Sequence, residues 1–240
     1  MRNFSNTYIF SFSAIMIIIV AVLLSGAAML LQPLQEKNVE IQKKKSILAS
    51  INIESTQKDA ETLYDKYIKE TLVVNVKGEV LEGEDAFSID MAEEMRKPDG
   101  ERKLPVYLAT LDNGEKKIIV PLQGKGLWGP IYGYISFNDD YNTVYGATFG
   151  HDKETPGLGA EIATHEFQKQ FIGKRIFDKD GKFVSILVKK GGATPGNPHE
   201  VDAISGGTLT SKGLQAMLQV CLEDYVAWFE KQMKETEKNG

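Results

Sequence analysis

Cysteine is nearly missing from this 240-residue chain. Cys221 stands alone, which excludes an intrachain disulfide framework and any zinc site built from several thiolates. Histidine is scarce as well: His151, His165 and His199 are too scattered to suggest a metal cluster, so no metal site is expected. Positive charge is in deficit, with 28 Lys+Arg against 33 Asp+Glu and a net charge of -5. A chain without a cationic stripe is poorly suited to a phosphate backbone, and no nucleic-acid partner is expected. Apolar residues are not lacking: at 42% they exclude a disordered chain, and the length suits one domain with an appendage.

Charge is absent altogether from residues 8–31, YIFSFSAIMIIIVAVLLSGAAMLL. At ~1.5 Å per residue a helix there reaches about 36 Å, enough to cross a bilayer. Small residues at Ser25, Gly26, Ala27 and Ala28 would also suit a cleavable signal, but the apolar run is longer than the usual signal core, which favours a retained anchor. Arg2 precedes the span and Lys37, Lys43, Lys44 and Lys45 follow it, so a literal positive-inside count keeps the large domain in the cytoplasm. That rule weighs less for a long folded domain, and charge leaves the side undecided.

Pro33 is expected to end the anchor. Beyond it, Ile47, Leu48, Ile51, Leu63, Tyr64, Tyr67 and Ile68 recur at roughly helical spacing, predicting two helices broken near Ser55. No heptad is sustained, so this segment reads as a stalk packed on the domain rather than a coiled coil. The expected organisation is a tail at 1–7, a membrane helix at 8–31, a helical stalk at 32–70 and an α+β domain at 71–240.

From Leu72 the period shortens. The runs at 72–76, 104–111, 117–122, 131–137 and 143–149 read as strands, with turn residues Asp112, Asn113, Gly114 and Asn138, Asp139, Asp140 between them. That pattern predicts an α+β fold, an antiparallel sheet with flanking helices, rather than alternating βαβ units. A short helix is expected at 160–171, another strand at 182–190 and a terminal helix at 211–234. The terminal helix sets Leu214, Met217, Leu218, Cys221, Leu222, Tyr225, Trp228 and Phe229 on one face, and Cys221 there reads as a buried small hydrophobe.

Residues 124–129, GKGLWG, match a dinucleotide-binding fingerprint letter by letter. That reading fails because Pro130 and an alternating strand follow, where a helix start is needed. A glycine-rich bend with Trp128 exposed, or lying over something flat, suits the residues better. Residues 154–159, ETPGLG, form a turn whose glycines permit close backbone approach, while His151 and Glu154 offer polar groups for a heterocycle or for water. The most loaded segment is 202–213, DAISGGTLTSKG, which precedes the strongest helix in the chain. Thr210 or Ser211 is expected as its cap. Free amides at such a start, with Lys212 nearby, favour a phosphate; a capped helix with a flexible lead-in is the equal alternative.

DAISGGTLTSKG resembles the flavinylation motif, usually D-x-x-S-G-A-T, of the FMN-binding domain shared by the C subunit of sodium-translocating NADH:quinone reductases and the G subunit of ion-translocating ferredoxin oxidoreductases. Gly207 replaces the family's alanine, and the final threonine falls on Thr208. GKGLWGPIYGYI and HDKETPGLGAEI resemble the family's two other signatures in the same order, and KKKSILASI after the anchor resembles the corresponding stretch of the quinone reductase protein. The resemblance implies FMN joined through its phosphate to Thr208, with Asp202, Ser205, Gly206, Gly207 and Lys212 around the phosphoester. It places Leu127, Trp128, Glu154, Thr155, Gly157, Leu158 and Gly159 around the ribityl chain and ring. No catalytic residue is implied in this chain.

The motif holds no histidine to activate a threonine hydroxyl, which argues against self-attachment. The resemblance supplies a separate magnesium-dependent flavin transferase that uses FAD and releases AMP. It further implies electron relay among other membrane subunits of a sodium-exporting complex in the bacterial inner membrane, with a single anchor in the lipid bilayer and the domain on the periplasmic side. The apolar span carries no charge, so sodium passage is assigned to partners. The ferredoxin-linked complex and a membrane-anchored FMN-binding sensor are the alternative expectations.

Overall fold

In the computed structural model, which describes residues 5–239, the first element is a long helix, α1 (Asn6–Ser50). The chain divides into two compact units, Met1–Lys43 and Lys44–Gly240. In the first unit the side chains of residues 5–40 are exposed, and α1 is long and apolar enough to cross a membrane.

Pro33 does not end this helix, contrary to the expectation. An interior proline removes one backbone bond, to the carbonyl four residues back. That carbonyl belongs to Met29, at the end of the apolar run, and helical bonding on both sides carries the helix through. The actual stop is Asn52, whose φ of 58° is the left-handed conformation asparagine tolerates at a helix end. There the amide of Ile53 donates to the Leu48 carbonyl at 3.0 Å, and the Ser136 hydroxyl donates to the Ser50 carbonyl at 2.5 Å.

The second unit is built on a five-stranded antiparallel meander: β1 (Ile68–Val74), β2 (Leu104–Thr110), β3 (Lys116–Lys125), β4 (Pro130–Phe137) and β5 (Val144–His151), side by side in chain order. The α+β fold class expected from the strand pattern is the one observed. Period-two alternation sends Ile118, Val120 and Leu122 to one face and Ile119 to the other. The first face packs against α5 (Thr208–Asn239) through Leu214, Met217, Leu218, Cys221, Tyr225 and Phe229. The opposite face is covered by Ile47, Leu48 and Ile51 from the end of α1, together with α2 (Ala60–Tyr67). Lys44 is buried there, bonded to Glu61 at 3.3 Å and lying over the rings of Tyr64 and Phe87.

Three expectations need correction. The run 160–171 is a 3-10 turn (Gly159–Ala163), one turn of helix α4 (His165–Gln168) and a second 3-10 turn (Lys169–Phe171). Thr164 is extended and its hydroxyl caps α4 by accepting from the Phe167 amide, which interrupts a continuous helix. The expected strand at 182–190 contracts to β6 (Leu187–Lys189), because Ser185 adopts a φ of 58°; β6 pairs in parallel with β7 (Glu200–Asp202). The terminal helix begins at Thr208, so Thr210 and Ser211 lie inside its first turn instead of capping it.

Candidate functional site

Three segments that are distant in sequence meet at one end of the sheet. The first is the β3–β4 hairpin, closed by the Gly126 amide donating to the Gly129 carbonyl at 2.8 Å. GKGLWG is therefore a hairpin bend between strands, and it leaves Trp128 63% exposed with Leu127 exposed beside it. The second is the loop after β5, wound on Thr155, whose carbonyl accepts from the amides of Leu158 and Ala160, both at 3.1 Å. Gly157 there has a φ of 76°, and its amide donates to Glu161 at 3.0 Å. The third is the lead-in to α5, where Gly206 has a φ of 75° that a side chain would strain.

Glycines let these segments touch. A Cβ on Gly206 would sit 2.5 Å from Leu158 Cδ2, and one on Gly207 would sit 3.4 Å from the Gly159 Cα. One step further along the helix, a Cβ on Gly213 would strike the Lys125 carbonyl, while Gly124 makes room for Met217. The motif at 202–213 is thus held between the hairpin and the loop after β5.

Glu154 lies at the centre of the junction and is buried. One carboxylate oxygen, Oε1, accepts from the Trp128 amide at 2.8 Å, and the other, Oε2, from the Thr210 hydroxyl at 2.5 Å. Its own amide donates to Nδ1 of His151 at 3.3 Å. Burial by itself would raise the Glu154 carboxyl, but the bonds from Thr210 and Trp128, with His151 beside it, hold it below the usual carboxylate range. Each Glu154 oxygen thus accepts from a protein donor on a different segment.

The hydroxyls of the motif sort cleanly. Thr210 and Ser211 are buried, the former committed to Glu154 and the latter accepting from the Ile204 amide at 3.1 Å. Ser205 is exposed, and Thr208 is half-buried at the first position of α5. The first intrahelical bond, from the Ser211 amide to the Gly207 carbonyl at 2.8 Å, leaves the amides of Thr208, Leu209 and Thr210 ahead of it. Lys212 is exposed and lies four residues beyond Thr208, on the same helix face. Asp202 is directed elsewhere: its carboxylate accepts from the Ala193 amide at 2.6 Å and its amide donates to Gln170 at 2.9 Å.

Cys221 is buried against β3, donating to the Gln123 carbonyl at 3.3 Å, and burial pushes its thiol up to about 12. It is a packing residue, as its helix face implied. The feature that sequence reasoning missed is the tie from Glu154 to Thr210. No local pattern announces a bond between a loop residue and one in the first turn of a helix 56 positions on.

Residues 126–223, from the tip of the hairpin into α5, match the FMN-binding domain family. The C subunit of the Na(+)-translocating NADH-quinone reductase of Vibrio vulnificus strain YJ016 is 34% identical over 223 residues, covering 86% of this chain and 87% of its own. The C subunit of Pasteurella multocida strain Pm70 is 35% identical over 214 residues, covering 81% of each. Among solved structures, the C subunit from Parabacteroides distasonis ATCC 8503 superposes with a TM-score of 0.76 at 45% identity, over 83% of this chain and 96% of that one. NqrC of Shewanella oneidensis does so at 0.70 and 26%, over 80% and 97%. Likeness of this extent, in sequence along both chains and in fold, makes the chain a member of the NqrC family, the C subunits of the sodium-translocating NADH-quinone reductase, and so a component of that oxidoreductase.

Proposed function

We propose that this chain carries FMN, joined through its phosphate to Thr208, and relays electrons within a membrane-bound sodium-translocating NADH:quinone reductase. The observation that carries the reading is the sorting of hydroxyls at the start of α5. Thr210 and Ser211 are buried and engaged, whereas Thr208 is half-buried ahead of the first intrahelical bond.

The residues fit the group. A phosphoester on Thr208 lies at a helix start whose amides and dipole favour an anion, with Lys212 on the same face. The exposed apolar side chains of Leu127, Trp128 and Leu158 offer a wall for a flat ring, and Gly157, with nothing near the place a Cβ would take, lets main chain approach it. When bound, FMN supplies one- and two-electron chemistry that no side chain here provides. The chain's part is to hold the phosphate end at Thr208 and to present the apolar wall.

Attachment proceeds by phosphoryl transfer from FAD on a separate magnesium-dependent flavin transferase. The Thr208 oxygen forms a bond to the FMN phosphorus, the anhydride bond to AMP breaks, and the hydroxyl proton leaves. Thr208 is therefore a substrate of modification and takes no part in turnover as a nucleophile. In this reading α1 anchors the protein in the bacterial inner membrane with the domain on the periplasmic side, beside the other membrane subunits. The uncharged span at 8–31 leaves sodium passage to those partners.

The test is co-expression of the full chain with a flavin transferase, as wild type and as Thr208→Ala. After denaturation the wild type is expected to show flavin fluorescence on the protein band and an intact mass raised by one FMN less one water, with neither on Thr208→Ala. An unlabelled wild type removes the covalent reading. Label on Thr208→Ala moves the tether to another hydroxyl, Ser205 being the exposed one.

A further inference from the structure

We infer that Glu154 is the positioning residue of this site, a carboxylate whose reach, spanning two elements, fixes where Thr208 is presented to the flavin transferase. The inference rests on the flavin-attachment reading above. The first turn of a helix is the part most ready to fray, since its amides lack intrahelical partners. In α5 that turn carries Thr208, and what holds it is tertiary. Thr210, two residues on, donates to Glu154 Oε2, while Glu154 Oε1 accepts from the Trp128 amide at the hairpin tip. One side chain therefore ties the turn bearing the tether to the hairpin bearing the ring wall. From the other side, the Ser211 hydroxyl accepts from Ile204 and closes the lead-in onto the same turn.

An independent observation points the same way. A Cβ on Gly126 would lie 2.5 Å from Glu154 Oε1, and a Cβ on Gly159 would strike both Glu154 Oε2 and Thr210 Oγ1. Glycine at both positions is what gives the carboxylate its place between the two donors. The two bonds also leave no slack: at 2.8 and 2.5 Å, a side chain one methylene shorter cannot make both.

Reach and charge are separable. Glu154→Gln keeps the length, accepting from Trp128 and donating to the Thr210 oxygen, and removes the charge. Glu154→Asp keeps the charge and loses the reach. The full chain is purified in detergent, without flavin, as wild type, Glu154→Gln, Glu154→Asp and Thr210→Val, and backbone hydrogen exchange is followed over residues 126–129 and 204–211. Glu154→Asp and Thr210→Val are expected to speed exchange in both segments together by about tenfold or more, with residues 214–229 unchanged, while Glu154→Gln stays within about threefold of wild type. Initial labelling rates with transferase and FAD are expected in the same order, the loss falling on kcat more than on KM, and Thr210→Ser restoring what Thr210→Val loses.

Unchanged exchange in Glu154→Asp overturns the proposal, as does a Glu154→Asp that labels well beside a Glu154→Gln that does not, since charge would then be the property that matters. Loss of protection through 214–229 as well marks global unfolding, and the Thr210→Val and Thr210→Ser pair then decides. A wild type that takes no label removes the flavin-attachment reading, while the exchange measurements still decide whether Glu154 holds the turn.

Discussion

Gly213 shows how a single missing atom sets the distance between α5 and the sheet. In an open helix, alanine in place of glycine stabilises by up to about 1 kcal/mol. Here the added methyl would strike the Lys125 carbonyl, a backbone atom of β3 that has no rotamer to escape into. Overpacking of this kind costs about 1–3 kcal/mol, so the clash outweighs the propensity. Gly213→Ala is expected to lower the thermal midpoint by roughly 2–8 °C, measured by circular dichroism. Gly100→Ala, where nothing lies within 4 Å of the added atom, is the control and should shift it little. At this scale the sequence revealed residues through repetition: Cys221 was legible as packing because seven neighbours at helical spacing share its face. Thr210 was not, because its partner Glu154 is placed by a loop and not by any period.

Elements were legible where a period persists and a turn closes it. All five meander strands follow from alternating runs bounded by residues such as Asp112 and Gly114, with β1 starting four residues before the run at Leu72. The segments that misled are those where one residue breaks a plausible period, Thr164 within 160–171 and Ser185 within 182–190. The three-residue strand β7 has too little local signal to be read, and β6, shorter than the run that announced it, leans on a distant partner, the Gln215 side chain of α5 accepting from the Val188 amide at 3.2 Å. The loop joining this pair is closed by Glu200, which accepts from the Thr194 amide at 2.7 Å and the Lys189 ammonium at 3.0 Å. Those bonds, the Thr194 amide first, hold its carboxyl down at about 2 against an ordinary 4.5. A depressed carboxyl stabilises the folded form fully above its unfolded value and ceases to do so as pH falls through its folded one. Protection of the Thr194 amide from hydrogen exchange should therefore be steady from neutral pH down to about 4.5 and decline towards about 2. Glu200→Gln should flatten that decline; a profile identical to wild type would show that another carboxyl governs the loop.

At the scale of the whole molecule, the place where the chain can be cut follows from which side chains the second core cluster requires. Compactness begins at Lys44, within a segment that its charge and spacing present as a stalk. Ile47, Leu48 and Ile51 are fully buried on the face of the sheet opposite α5, packed with Tyr67, Ile68, Val73, Tyr107 and Ile119. Removing a buried side chain of this size typically costs about 2–5 kcal/mol, against a total stability of roughly 5–15 kcal/mol for a domain. A cut before Lys44 removes none of these residues, whereas a cut before Thr71 removes five of them along with the start of β1. Residues 44–240 are accordingly expected to be soluble without detergent, to melt cooperatively and to protect α5 amides as the full chain does. Residues 71–240, although they keep the FMN-binding match at 126–223 whole, are expected to bind hydrophobic dye and to melt without a sharp transition. A cooperative melt of 71–240 near that of 44–240 would mean that the end of α1 contributes little. The function of the last turns of α1 would then have to be sought outside folding stability.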